Sequence, residues 1–105
     1  MDDRKLLELA AKSAGFTDAE WAADQASICT VQAGKGFMPF WNPLKDDGDA
    51  LRLAVKLGID VCFALNYVTA RGSVQMPLDE YGNDPYAATR RAIVRAAAAI
   101  GEGMV

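Results

Sequence analysis

Asp46, Asp47 and Asp49 crowd one short stretch, and closely spaced carboxylates are what a calcium or magnesium site requires. No glutamate follows to close such a loop, and the chain runs straight on into Leu51, Leu53 and Val55, so the three acids read as the cap and first turn of a helix. Gly34-Lys35-Gly36 is too short to cradle a phosphate: it lacks the wider glycine spacing, a Ser or Thr after the lysine, and a helix behind it. It reads as a turn. Arg90, Arg91 and Arg95 form a local excess of positive charge. At 100° per residue Arg91 and Arg95 share a helix face, where they would either stay solvated or hold an acidic partner, a nucleotide or a phosphate. Trp41, close to Phe37 and Phe40, is either core filling or, if exposed, an anchor for a partner. Trp41, Arg91 and Arg95 are therefore the candidate partner- or ligand-binding residues. No residue is assigned a catalytic role, and no metal or cofactor is expected.

Catalysis has little to work with. The chain contains no histidine, which removes the usual general base near neutral pH, Ser-His and Cys-His nucleophiles, and zinc sites that need imidazole. Ser13, Ser27 and Ser73 stand in no nucleophile-elbow pattern. Cys29 and Cys62 lie in apolar runs without basic neighbours to stabilise a thiolate, and read as two buried, reduced small hydrophobes.

The elements that must position these residues belong to a short chain. At 105 residues, with 51% hydrophobic and 24% charged residues, it should form a single domain spanning 1–105. A net charge of −3 argues against nucleic acid as partner. The N-terminus, Met1-Asp2-Asp3-Arg4-Lys5, has no apolar leader, and no stretch approaches a membrane span. A reduced, cytoplasmic protein is expected.

Leu6, Leu7, Ala10 and Ala14 recur at helical spacing over residues 3–14, and Gly15 then Phe16 fit a Schellman stop. Thr17 to Glu20 has the capping-box pattern of a short helix over 17–24, although a turn-rich lead to a strand fits too. Residues 26–33 and 37–41 read as a hairpin, with Pro39 confining its strand to an edge or a bulge. A helix then runs from Asp46 or Asp47 to Leu57, with Ala50, Leu51, Ala54, Val55 and Leu57 buried and Gly58 as stop. Ile59, Val61, Phe63, Leu65 and Tyr67 alternate along one strand, and Val74, Met76 and Leu78 along a shorter one whose Pro77 marks an edge. Asp84 and Pro85 open the last helix. It should bury Tyr86, Ile93, Ala97 and Ile100 and close at Gly101. The expected order is α-β-β-α-β-β-α.

Three blocks go beyond generic folding signals: Leu6 to Lys12; Trp41-Asn42-Pro43-Leu44 with Asp46 to Val55; and Asp84 to Ala96. In that order they resemble small phage and prophage proteins of the phage ABA sandwich type. The resemblance implies an α+β, three-layer α-β-α sandwich with a small, mainly antiparallel sheet, and a phage or prophage origin. It supplies no catalytic residue. The expected function is a non-catalytic accessory protein that binds a host or phage protein. The alternative is a nucleotide or small-molecule binder using the arginines of the last helix. Unpaired strand edges leave room for a homodimer.

Overall fold

The computed structural model describes residues 2–22, 27–32, 36–72, 74–77 and 82–104. The chain is α+β. Helix α1 (Asp3–Ser13) precedes strands β1 (Thr17–Ala22), β2 (Ser27–Gln32) and β3 (Gly36–Trp41). Helix α2 (Asp47–Leu57) precedes β4 (Val61–Phe63), β5 (Tyr67–Ala70) and β6 (Val74–Pro77), and α3 (Pro85–Glu102) follows. The strands form two antiparallel meanders, β1-β2-β3 and β4-β5-β6. The order is thus α-β-β-β-α-β-β-β-α, one strand longer in each half than expected.

Both extra strands have local causes. The residues 17–22 pair with β2 through Glu20↔Cys29 and Trp21↔Ile28, so sheet pairing overrides the capping-box pattern there. The alternation from Ile59 to Tyr67 is interrupted, because Ala64 N–H bonds back to Tyr67 O at 2.9 Å and folds β4 onto β5 in a tight turn at Leu65-Asn66. The two prolines lie as expected on edge strands. Pro39 also falls where the β2–β3 register slips, between Thr30↔Met38 and Ile28↔Trp41, so its missing N–H interrupts no regular ladder. The Arg71-Gly72 turn leads from β5 to β6 with both residues in the left-handed region. Lys35, Gly34, Leu78 and Ser73 lie outside the described residues.

Helix ends follow the sequence closely. The Asp2, Asp46 and Asp84 carboxylates accept from the N–H groups of Lys5, Asp49, and Tyr86 with Ala87, satisfying donors that a helix start leaves open. Gly15 and Gly58 have φ of +78° and +65°. After them Phe16 N–H reaches Ala11 O and Ile59 N–H reaches Ala54 O, two Schellman stops.

Helix α1 packs along α3 in the most extensive contact of the fold. Sheet β1-β2-β3 lies against α1, and β4-β5-β6 against α3. The core draws Leu6, Leu7, Ala10 and Ala11 from α1, Leu53 from α2, Val68 and Met76 from the second sheet, and Ala92, Ile93, Ala96 and Ala97 from α3. Helix α3 continues past Gly101, which is therefore no stop: a Cβ there would collide with the Leu9 carbonyl oxygen and come within 2.9 Å of its carbon. The glycine is what lets the two backbones touch.

Candidate functional site

The loop from Trp41 into α2 is a closed polar network. Asn42 and Asp49 are buried. The Asp49 carboxylate accepts from Asn42 N–H at 3.0 Å and from Arg52 at 2.8 Å, and Asn42 Oδ1 accepts from Leu44 N–H at 3.0 Å. Arg90, on α3, donates to Leu44 O at 2.9 Å and to Asp47 at 2.7 Å. Asp46, Asp47 and Asp49 are thus committed to capping and ion pairs, and no group of three or more potential metal ligands occurs among the described residues.

The three residues singled out for binding are dispersed among structural tasks. Trp41 is only 4% exposed and packs edge-on against Phe16, ring centroids 5.0 Å apart. It offers no face to a partner. Arg91 pairs with Asp3 at 2.7 Å, tying α3 to the start of α1. Arg95 is exposed, its guanidinium 3.8 Å from the Met76 sulfur. Of the three, Arg95 is the one whose charge meets no acid in these contacts.

A different face stands out. Leu51, Val55, Phe63, Leu65 and Tyr86 are 64%, 74%, 71%, 90% and 69% exposed, although the sequence pattern places Leu51, Val55 and Tyr86 in buried helix stripes and Phe63 and Leu65 on the apolar parity of a strand. In α2 the buried residues are Asp49, Ala50, Leu53 and Ala54, which turns Leu51 and Val55 outward on one side of the helix, a turn apart. Phe63 ends β4, Leu65 sits in the turn beyond it, and Tyr86 occupies the first turn of α3. Leu51, Phe63 and Tyr86 line a single groove of about 440 Å³, closed by Ala50, Ile93 and the Asp47–Arg90 pair. Cys62, beside Phe63, is exposed rather than buried and carries a free thiol.

The signal for this face was present in the sequence: residues 50–57 contain Ala50, Leu51, Leu53, Ala54, Val55 and Leu57, more apolar positions than one helix face can bury. Compared with protein-family models, with curated proteins and with solved structures, the chain matches none. No helix among the described residues is long and apolar enough to cross a membrane.

Proposed function

We propose that this chain is a small accessory protein that works by binding another protein, without a catalytic step of its own. The observation that carries the reading is the apolar groove of Leu51, Phe63 and Tyr86, because clustered exposed apolar side chains of this size mark protein contact sites. Its Asp47–Arg90 pair supplies a polar rim of the kind such sites have. The lack of histidine and the commitment of Asp46, Asp47 and Asp49 to capping support binding over catalysis. A phage or prophage origin, an α-β-α sandwich relationship and residence in the bacterial cytoplasm rest on the resemblance of the three sequence blocks, and the expected partner is a host or phage protein.

The nucleotide-binding alternative has lost support, since Trp41 is buried and Arg90 and Arg91 already hold carboxylates. Capture experiments from bacterial lysate with the wild-type chain and with Phe63→Asp and Leu51→Asp test the reading. A protein retained by wild type and lost by both variants is expected; retention unchanged by either substitution, or no retained protein at physiological salt, refutes it.

A further inference from the structure

The edges of the two sheets are not alike. Among the described residues, β1 is interrupted by a register slip between Thr17 and Glu20 and carries the exposed Glu20, β3 carries a slip and Pro39, and β6 ends in Pro77. Slips, charges and prolines are what keep an edge strand from pairing with another chain. Strand β4 has none of them. Its register, Val61↔Ala70, Cys62↔Thr69 and Phe63↔Val68, is regular, and no charged residue occurs from Val61 to Ala70.

This bare edge adjoins the apolar face. Phe63 and Tyr86, as aromatic side chains of ~150–250 Å², present roughly 280 Å² between them at their observed exposure. Leu51 lines the same groove, Val55 follows it one turn on along α2 and Leu65 sits two residues beyond Phe63, all largely exposed, and they add to this area toward the about 800 Å² that each partner gives a stable interface. Its charged rim, Asp47 with Arg90, is internally neutral, so two such faces can meet without like charges opposed.

The backbone pattern is self-complementary as well. Ala64 N–H bonds to Tyr67 O, and Arg71 N–H to Asp60 O. By alternation residues 60, 62 and 64 direct their polar groups toward β5, leaving those of Val61 and Phe63 aimed outward. We infer that β4 and the adjoining apolar face are the contact surface for a second copy of this chain, joined antiparallel about a two-fold axis through Cys62. In that arrangement Val61 of each copy exchanges backbone hydrogen bonds with Phe63 of the other. The two sheets become continuous and the two grooves close on each other. The Cys62 pair falls at a position without mutual hydrogen bonds, where Cα atoms lie ~4.5 Å apart, within disulfide reach.

The inference rests on reading this face as a protein-binding one, and it makes self-association a competitor of any other partner. The test is sedimentation equilibrium of the full chain from about 1 to 100 μM, a range that brackets micromolar self-affinity. It is paired with diamide oxidation, in which the reagent takes up the two protons and two electrons released as two thiols join. A mass of twice 11.3 kDa is expected, with a reducible dimer linked through Cys62. Cys62→Ser should remain dimeric without the link, while Phe63→Asp and Leu65→Lys should be monomeric with unchanged circular dichroism, both side chains being largely exposed. A monomer throughout the range, or a dimer that survives both substitutions and forms no Cys62 link, overturns the inference. A monomer that still captures another protein through Phe63 would overturn self-association alone; a dimer that captures nothing would instead count against the accessory function.

Discussion

Replacing Gly101 by alanine sets two effects of opposite sign against each other. In an exposed helix the change would stabilise by ~1 kcal/mol, because glycine loses more backbone freedom on folding than alanine. Here the added methyl would overlap the Leu9 carbonyl oxygen and lie 2.9 Å from the carbonyl carbon. Those atoms belong to the α1 backbone and cannot rotate away, so α3 must withdraw. Overpacking of this kind typically costs ~1–3 kcal/mol. Withdrawal by even ~0.5–1 Å also forfeits a quarter to a half of each dispersion contact along the interface, which is lined by short alanines with no reach to follow. A gross loss near ~3 kcal/mol less the propensity gain leaves about 2 kcal/mol of net destabilisation, or a fall in Tm of roughly 8–16 °C for a domain of this size. Gly103→Ala is the control: its Cβ would meet nothing nearer than Ile100 O at 3.5 Å, and its Tm should stay close to wild type. Thermal unfolding followed by circular dichroism reads both variants. A Gly101→Ala chain as stable as wild type would refute the close approach of α1 and α3.

Other substitutions separate the roles of individual residues. Asp49→Ala removes the acceptor of the buried Asn42 N–H and should cost ~1–3 kcal/mol in urea unfolding, whereas Asp49→Asn, which keeps an acceptor, should cost less than half as much. Gly58→Ala places a side chain at φ +65° with nothing within 4 Å, so a loss of ~1 kcal/mol in the same assay would be backbone strain alone. Trp41→Ala should lose ~3–5 kcal/mol as a core truncation. Arg91→Ala, which removes a partly exposed ion pair, should lose no more than ~1 kcal/mol.

Short-range chemistry was legible in the sequence. Asp84-Pro85 and Gly15-Phe16 end or begin helices as their side chains and dihedral freedom demand, and Pro39 and Pro77 mark edges because a missing N–H cannot serve a central strand. Where tertiary pairing competes with a local pattern, the sequence was ambiguous. Thr17 and Glu20 fit a capping box, yet β2 draws them into a sheet. The alternation through Ile59 and Tyr67 could not show that Leu65-Asn66 turns the strand back on itself. The candidate site was misplaced for a related reason. Periodicity identifies apolar stripes but not what covers them: it puts Leu51, Val55 and Tyr86 on buried helix faces and Phe63 on the apolar side of a strand, and all four are exposed. Trp41, the most conspicuous side chain for recognition, is instead committed to packing against Phe16.

The contact between α1 and α3 also bears on how the chain folds. Every described strand pairs with a neighbour in sequence, so both meanders can form by closing short loops, which is fast and entropically cheap. The two helices that hold the domain together come from opposite ends of it. Arg91 reaches Asp3, Lys12 reaches the Met104 carbonyl, and Gly101 meets Leu9, all across nearly the full length of the chain. Their docking is the step that closes the longest loop, and it should come last. A nascent chain on the ribosome would then hold its strands paired and α1 against the first sheet, with the α3-facing side of α1 still open until α3 emerges.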